Sequence, residues 1–364
     1  AGTSTIHDSS ILDNTSYGIF NSSLNIIDAT NNWWGDDTGP YHPILNPAGK
    51  GNKVSDKVIF DPWTKKVVKK DPVILIPGIL GTEMKRGDEL LWMDIGKILT
   101  SASDDFMDTL MMNQDGFAVD NSIVVGDIIR GINIGPIQFQ IYGDLIKQLH
   151  LEGFEENKDL FVFPYDWRLD NKLNANKLKE KIDEILTQTG SQKVNLVAHS
   201  MGGLIAKQYI VDNGEDKVAK LVFIGTPNLG APKAFKALLQ GDNFGIPLML
   251  NQLEMKKLAQ NMTSVYQLLP SQKYFDRFGG YFINRNQLPD DYITTKNYLI
   301  DKNLNTLLLQ NAEQFHSNAL DNFSAPNIDT YNITGCNTPT LGRIILRNYF
   351  LEGGIIKEDY DLEM

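Results

Sequence analysis

Two different patterns of apolar and polar residues divide the chain. Residues 1 to 63 place single Ile and Phe residues between short runs of Asn, Asp, Ser, Thr and Gly, as in SSILDNTSYGIFNSS. Isolated apolar positions between turn-forming residues predict short strands joined by tight turns. From residue 64 onward, apolar runs alternate with segments of helical spacing. We therefore expect a small strand-and-turn domain over 1–63 and a larger domain over 64–364.

The larger domain has the pattern of an α/β protein. The segments YGDLIKQLHLEG, ANKLKEKIDEILTQTG and GGLIAKQYIVDNG have helical spacing and lie between apolar runs. Alternating strands and helices predict a parallel sheet covered by helices on both faces. The runs expected to form strands are Val73 to Pro77, Leu160 to Pro164, Val194 to Ala198, Leu221 to Gly225 and Ile328 to Gly335.

The small domain favours a solenoid, in which each turn of the chain buries a few side chains against the next. The stretch ATNNWWGDDTGPYHPILNPAGKGNKVSDKVIFDPW resembles the last rungs and cap of right-handed parallel β-helices of the pectate-lyase-like kind, through Asn32-Trp33-Trp34-Gly35, Gly39-Pro40 and the closing KVIFDPW. A polar linker with a few aromatic residues is the alternative. Because solenoids need about three or more repeats for stability, further rungs are expected before Ala1.

Composition excludes several classes of function. The chain has 364 residues and a net charge of −11, which disfavours nucleic-acid partners and anionic membrane surfaces. The single cysteine, Cys336, excludes an intrachain disulfide and metal sites built on several thiolates. No apolar run approaches the about 18 residues of a membrane span. With no metal, phosphate-loop or dinucleotide motif, no cofactor is expected.

One serine stands in the context of a nucleophile. The run VNLVAHSMGGLIAKQYI places Ser200 between a predicted strand and a predicted helix. A serine projecting from such a sharp turn needs small residues two before and two after it, because strand and helix approach closely there. Ala198, Gly202 and Gly203 are small enough to meet this need. Compared with the common Gly-x-Ser-x-Gly pattern, Ala198 stands in place of the first glycine.

An acyl-transfer site also needs two N–H donors for the developing oxyanion, each worth about 3 kcal/mol. The Met201 amide, at the start of the predicted helix, is the first candidate. The segment ILIPGILGTEM ends an earlier predicted strand, and Gly78 and Gly81 would let its amides face a ligand without a Cβ in the way. We assign the second donor to the Ile79 amide. Taken alone, the segment could equally be an ordinary strand-ending turn.

From Pro72 to about Arg347 the chain resembles the lecithin:cholesterol acyltransferase-like family of α/β-hydrolases, which includes phospholipases and phospholipid-dependent acyltransferases. The resemblance rests on PVILIPGILGTEM, LFVFPYDWR, VNLVAHSMGGL, LVFIGTPNLGAPKAF, YQLLPS and YNITGCNTPT, in that order. It implies that Ser200 is the nucleophile and that the Ile79 and Met201 amides form the oxyanion hole. It also implies that Tyr165-Asp166-Trp167-Arg168 is scaffold near the site.

The histidine and acid that would activate Ser200 are harder to place. In these hydrolases both follow the nucleophile along the chain, and only His316 does so here. His316 lies in a helical pattern, where a structural or surface histidine is expected. His199 is expected to face away from the site and to pack. None of the carboxylates Asp329, Asp359 and Asp361 stands in the family's context.

The resemblance implies that the acid and histidine come after the hairpin suggested by GRIILRNYFLEGGIIKEDYDLEM. They are therefore expected beyond Met364, and the hydrolase domain is expected to be truncated. Without its base the serine hydroxyl stays protonated, so the chain alone is expected to be nearly inactive on esters.

Two long insertions, Thr82 to Pro136 and Ala231 to about Leu320, correspond to lids over an acyl-chain groove in the family. Their Met, Leu and Phe content suits a pliable apolar lining, although a solvated helical cap is an equal alternative.

Three functions remain open on the sequence. The first is a lipid ester hydrolase or O-acyltransferase acting through an acyl-enzyme on Ser200, with peripheral contact to a lipid interface through the lid. The second is a glycan-binding or structural surface module with a degenerate hydrolase domain. The third is a short-acyl carbohydrate esterase. The β-helix resemblance implies a secreted or cell-surface protein whose solenoid contacts polysaccharide.

Overall fold

The computed structural model describes residues 4–65, 70–101, 105–242, 250–335, 340–350 and 356–364, so that Cys336 lies outside the described residues. The chain forms two compact units, with the division between Lys70 and Asp71. All the helices described lie in the second unit.

The first unit is built from three short parallel strands, β1 (Ser4–Thr5), β2 (Ile27–Asp28) and β3 (Val58–Ile59), paired in that order. Three further parallel bridges join Ser10 to Trp33, Ile19 to Val54 and Pro40 to Gly51. Strands that are consecutive, parallel and adjacent require the chain to coil back on itself between them. The coils enclose a small core of Ile19, Ala29, Trp34, Val54, Val58 and Phe60.

A buried asparagine links neighbouring segments of this unit. The Asn32 side-chain amide donates to the carbonyl oxygens of Ile6 and Ala29, at 2.5 and 2.8 Å, and its oxygen accepts from the Ser9 amide at 2.9 Å. Asn32 is fully buried, so these bonds satisfy groups that water cannot reach.

The second unit alternates strands and helices. Its strands in chain order are β4 (Val73–Ile76), β5 (Thr82–Arg86), β6 (Glu89–Trp92), β7 (Ile123–Ile128), β8 (Gly131–Ile134), β9 (Ile137–Gln140), β10 (Leu160–Val162), β11 (Val194–His199), β12 (Val218–Ile224), β13 (Phe282–Ile283), β14 (Asp329–Ile333), β15 (Arg343–Phe350) and β16 (Ile356–Glu363). Its helices are α1 (Ile95–Thr100), α2 (Gly143–Leu151), α3 (Asn171–Thr189), α4 (Met201–Asn213), α5 (Pro232–Leu239), α6 (Gln252–Ala259), α7 (Thr263–Gln267), α8 (Gln272–Phe278), α9 (Tyr292–Asp301) and α10 (Thr306–Phe315). A 3-10 helix covers Asp105–Leu110, and a π-helix covers His316–Leu320.

The five apolar runs expected to be strands come together in one parallel sheet of order β10-β4-β11-β12-β14. All four residues of β4 are buried, as expected for a strand covered on both faces. Because β4 and β11 are parallel neighbours, the loops that follow them lie side by side at the carboxyl edge of the sheet. The site is built at this edge.

The outer strand β14 differs from the sequence-based expectation of a buried strand. All five of its residues are exposed, including Tyr331 at 51% and Ile333 at 54%. Among the described strands, β14 is an end strand that pairs only with β12, but β10, at the other end of the sheet, keeps Leu160 and Phe161 buried, so the end position alone does not expose a strand.

The two predicted insertions contain independent structure. The first, Thr82 to Pro136, holds the antiparallel sheet β6-β5-β7 and strand β8, which pairs with β9 just after it. The second holds helices α5 to α10, although residues 243–249 of it lie outside the described part. The predicted C-terminal hairpin is present as β15 and β16, and β15 also pairs with β13 rather than with the central sheet.

A buried ion pair follows β10. The Arg168 guanidinium donates to both carboxylate oxygens of Asp166, at 3.0 and 2.8 Å, and to the carbonyl oxygen of Leu110 at 3.1 Å. Only 1% of the Arg168 side chain and 10% of the Asp166 side chain are exposed. Such a pair contributes little net stability, but removing one partner leaves a buried charge uncompensated.

We expect Asp166→Asn to lower the free energy of unfolding of the second unit by about 3 kcal/mol. The measurement is urea unfolding followed by circular dichroism at 222 nm, which reports helices and hence this unit. The exposed pair of Lys179 and Asp183 is the control, because Lys179→Ala should cost about 0.5 kcal/mol or less. Equal losses in the two variants would contradict the prediction.

Candidate functional site

Ser200 stands at a strained corner between β11 and α4. Its backbone has φ 51° and ψ −124°, which a residue with a Cβ adopts only when its surroundings impose it. The Ser200 amide donates to the Ile224 carbonyl of β12, and its carbonyl accepts from the Gly203 amide. These two bonds hold the corner in place, and the half-buried serine leads directly into the helix.

The loop from Pro77 to Thr82, which follows β4, lies against this corner. The Gly81 amide donates to the Gly78 carbonyl at 3.1 Å, so Ile79 and Leu80 are the central residues of a tight turn. Leu80 has φ 62°, a second strained non-glycine position in the site. Thus the turn has a defined shape.

The glycines around Ser200 stand where neighbouring segments of the chain approach too closely for a side chain. A Cβ on Gly78 would lie 2.9 Å from Cβ of Ser200 and 3.1 Å from Nδ1 of His199, and one on Gly81 would lie 2.9 Å from Cβ of Pro77. Any side chain on Gly202 would collide with the Pro77 carbonyl.

Gly203, the next residue of α4, has a similar constraint against a different segment. A Cβ there would collide with the Thr226 hydroxyl, which follows β12. Strand, loop and helix can therefore meet around Ser200 only if these positions carry no side chain.

The two expected oxyanion donors are available. Among the described residues, neither the Ile79 amide nor the Met201 amide has a hydrogen-bond acceptor. The Met201 amide is the first of α4, where the helix leaves its N–H groups unpaired and favours negative charge.

A tyrosine that sequence reasoning missed connects the loop to the corner. The Gly78 amide donates to the Tyr142 hydroxyl oxygen at 2.7 Å, and that oxygen lies 2.8 Å from Nδ1 of His199. Because the Gly78 N–H can only donate, the hydroxyl accepts there and its own proton is directed at Nδ1. This places the histidine proton on Nε2.

Burial keeps both groups of this link neutral. It raises the pKa of Tyr142 to about 12, so the hydroxyl retains its proton at neutral pH. Burial also lowers the pKa of His199, which favours the uncharged ring that accepts the bond. The sequence predicts that His199 only packs and faces away from the site. In the structure its ring also contacts Tyr142, which holds the loop beside Ser200.

Three further side chains fix the carbonyl groups of the loop. The Tyr165 hydroxyl donates to the Pro77 carbonyl at 2.9 Å, and the Trp167 indole donates to the Thr82 carbonyl at 3.0 Å. Trp92 donates to the Leu80 carbonyl at 2.8 Å and packs edge-on against Trp167. The expected scaffold segment thus acts directly on the loop that carries Ile79.

No described histidine or carboxylate makes a hydrogen bond to Ser200 Oγ. His316 is buried, and its Nε2 lies 2.8 Å from the Gln267 carbonyl. Asp359 accepts from Gln240, and Asp361 pairs with Arg347. Asp329 lies on exposed β14. The location of the catalytic acid and histidine stays a prediction.

Tyr142 and Trp92 could not have been found from the sequence. Tyr142 stands directly before α2 and Trp92 ends β6, in segments with no motif. Only the fold brings them to Pro77–Thr82, across 64 residues in the case of Tyr142 and Gly78.

A serine at a strained strand-to-helix turn, above a parallel sheet and beside a glycine-containing loop, defines the α/β-hydrolase class. The sequence profile of the lecithin:cholesterol acyltransferase family matches residues 127–348. The chain belongs to this family.

Several curated relatives are similar to the chain. Lecithin-cholesterol acyltransferase-like 4 of Arabidopsis thaliana is 27% identical over 232 residues, covering 55% of this chain and 43% of that protein. Lysosomal phospholipase A and acyltransferase of Bos taurus is 27% identical over 237 residues, covering 55% and 58%. The phosphatidylcholine-sterol acyltransferase of Gallus gallus is 24% identical over 337 residues, covering 80% and 79%. The match thus spans about half the length of the first two relatives.

Among solved structures, a chain of the Tle4–Tli4 complex covers 78% of this chain and 79% of its own length at 16% identity, with a TM-score of 0.49. A likeness this weak bears on neither fold nor function.

We expect Tyr142→Phe to leave the buried Gly78 amide without an acceptor, at a cost of about 1–3 kcal/mol. Hydrogen exchange of the Gly78 amide, followed by mass spectrometry, should become faster, and the melting temperature should fall. Tyr331→Phe, on exposed β14, is the matched control. Unchanged Gly78 protection in Tyr142→Phe would show that the hydroxyl does not hold the loop.

The lowered pKa of His199 predicts a pH dependence. The ordinary pKa of histidine is 6.5. Below this pH, His199 of the unfolded chain binds a proton, whereas burial disfavours protonation of the same ring in the folded state. The stabilisation is present above pH 6.5 and is lost as pH falls, by at most about 1.4 kcal/mol per pH unit. Urea unfolding between pH 8 and 5 should give a shallower slope for His199→Gln than for the wild type. A slope in His199→Gln equal to that of the wild type would contradict the prediction.

Proposed function

We propose that this protein is a serine-dependent lipid ester hydrolase or O-acyltransferase that acts through an acyl-enzyme on Ser200. The observation that carries the proposal is the pairing of a strained serine with two unpaired amides, Ile79 and Met201, on adjacent elements. Membership of the lecithin:cholesterol acyltransferase family supports lipid esters as the substrate class.

In the proposed reaction, Ser200 Oγ attacks the ester carbonyl carbon while a general base takes its proton. The carbonyl oxygen becomes an oxyanion and accepts from the Ile79 and Met201 amides. Collapse of this intermediate expels the alcohol and leaves the acyl group on Ser200. Water or a second alcohol then attacks the acyl-enzyme, which gives a fatty acid or a new ester.

The rigidity of the Pro77–Thr82 loop supports this role. Donors that are already fixed do not have to reorganise when charge develops, and this gives them most of their catalytic value. Four side chains make hydrogen bonds to this loop, and none of these bonds uses the Ile79 amide. The four are Tyr142, Tyr165, Trp92 and Trp167. The loop is held firmly while its donor stays available.

The insertions at 82–136 and 231–320 are proposed to cover the site and to contact a lipid interface. Their helices carry exposed apolar residues, among them Leu253, Ile293 and Leu307 at 66%, 57% and 52% exposure. Within the described residues, no helix combines the length and the apolar character needed to cross a bilayer. The membrane contact proposed through these exposed residues is peripheral.

The first unit is proposed to be the end of a right-handed parallel β-helix, in a protein that works outside the cell or on its surface. The parallel order β1-β2-β3 with no helix between the strands supports a coil of this kind. The buried Asn32 and Trp34 lie in the motif that carried the resemblance. Contact of this unit with polysaccharide is part of the same proposal.

The test uses the full-length gene product and phosphatidylcholine vesicles, with and without a long-chain alcohol. Mass spectrometry should find free fatty acid in the first case and a new ester in the second, if the alcohol is an acyl acceptor. Ser200→Ala should lower both by at least about 1,000-fold. The same measurement on residues 1–364 reports whether these residues include the base that activates Ser200.

Ser191→Ala is the control, because it removes the hydroxyl of another serine, one buried in the turn between α3 and β11. It should retain wild-type acyl release. Acyl release that survives Ser200→Ala would refute the proposal. Substantial ester hydrolysis by residues 1–364, abolished by Ser200→Ala, would show instead that this chain already contains its base.

A further inference from the structure

Three exposed apolar side chains from separate segments line one groove of the second unit. They are Phe117 of the first insertion, Leu173 of α3 and Leu307 of α10, which are 58%, 42% and 52% exposed. The groove has a volume of ≈370 Å³, and the buried Leu308 forms part of its wall. Large apolar side chains grouped on the surface in this way mark an interaction site.

The segment that carries Phe117 is held in one shape. The Asn113 side-chain oxygen accepts from the Asp115 and Phe117 amides, both at 3.0 Å, and the Asn113 amide donates to the Phe117 carbonyl at 2.8 Å. A Cβ on Gly116 would collide with the Thr263 hydroxyl, so this turn packs closely against α7. Phe117 is therefore presented to solvent by a defined turn.

Side-chain amides join the three segments of the groove. Asn305, the residue before α10, donates from Nδ2 to the Gln114 carbonyl at 2.6 Å, and its oxygen accepts from the Leu307 amide at 3.1 Å. One side chain thus caps the helix and also fixes the turn. Asn311 of α10 donates to the carboxylate of Asp170, the residue before α3, at 2.9 Å. The three apolar side chains are therefore carried by one connected framework.

The groove lies toward the edge of the sheet where Ser200 stands. β10 is parallel to β4, and β4 is parallel to β11, so the three strands end at the same edge. Residues 163–170 lead from the end of β10 to the start of α3, and Leu173 lies in the first turn of that helix. A surface that meets Leu173 therefore approaches the protein from the side of Ser200.

The charged residues that line the groove are two carboxylates, Asp115 and Asp170, and no described lysine or arginine lines it. Asp170 already accepts from Gln267 and Asn311. Asp115 is exposed, and the structure shows no ion pair between it and a described residue. Acidic proteins and anionic lipids are poor partners for such a groove, on a chain with a net charge of −11. The cationic ammonium of a choline headgroup is complementary to Asp115.

We propose that this groove is the place where the protein contacts a phospholipid bilayer with choline headgroups. Phe117, Leu173 and Leu307 enter the bilayer at the boundary between headgroups and acyl chains, and Asp115 stays among the headgroups. The inference rests on the proposed function, because a lipid ester substrate is what gives a bilayer its place on the side of Ser200.

The test measures how much of the 364-residue chain sediments with vesicles of pure phosphatidylcholine or pure phosphatidylglycerol. The chain should bind phosphatidylcholine several-fold more tightly. Phe117→Ser and Leu307→Ser should each weaken this binding about tenfold, because each removes a side chain that the bilayer would bury. Leu151→Ser is the matched control, since Leu151 is 70% exposed but ends α2, which leads to the amino end of β10. It should bind like the wild type.

Asp115→Ser separates the headgroup contact from the apolar contact. Loss of the carboxylate should weaken binding to phosphatidylcholine and strengthen binding to phosphatidylglycerol, so that the preference becomes smaller. The substituted side chains are all exposed, and circular dichroism should show that every variant keeps the wild-type fold.

Equal vesicle binding by Phe117→Ser and Leu151→Ser, or tighter binding to phosphatidylglycerol than to phosphatidylcholine, would overturn the proposal. Failure of the proposed function would look different, because sedimentation needs no catalysis and Ser200→Ala should bind vesicles like the wild type. A full-length protein that bound vesicles through Phe117 but released no acyl group would refute the function and support the contact.

Discussion

The site depends on one steric constraint, the contact between Gly78 and Ser200. Adjacent parallel strands, β4 and β11, bring their following loops to the same place, and there is no room for a side chain at Gly78. The same restriction applies at Gly202, where the helix passes the Pro77 carbonyl. The strained backbone of Ser200 and the Ile79 amide, next to Gly78 in the chain, both lie at this closely packed place.

Close packing alone would not keep the loop in one shape, since glycines are flexible. Rigidity comes from buried hydrogen bonds that reach the loop from three directions, through Tyr142, Tyr165 and the pair of tryptophans, Trp92 and Trp167. Each of these side chains bonds to main-chain atoms, so the loop is held whatever its own side chains are. The serine corner is fixed separately, by main-chain bonds to Ile224 and Gly203. The Tyr142–His199 contact joins the two rigid parts.

Local patterns predicted the strands of the central sheet and the turn at Ser200, because apolar runs and small residues are properties of short segments. Local patterns could not predict Tyr142 or Trp92, whose partners are distant in sequence and are set by tertiary folding. They also misjudged the burial of β14, because the elements that cover a strand, or leave it exposed, are distant from it in sequence. For His199 the sequence predicts only packing, because nothing in the sequence indicates that Tyr142 lies next to it in the fold.

The exposed edge of β14 has a consequence for handling the protein. Its outer backbone groups are not paired with any strand of the described chain, and Tyr331 and Ile333 are half exposed beside them. Such an edge is a template for β-sheet extension by any extended peptide that meets it, including β14 of another molecule. Concentrated samples of this chain are therefore liable to self-associate edge to edge, and a lysine at position 331 or 333 offers a direct way to suppress it.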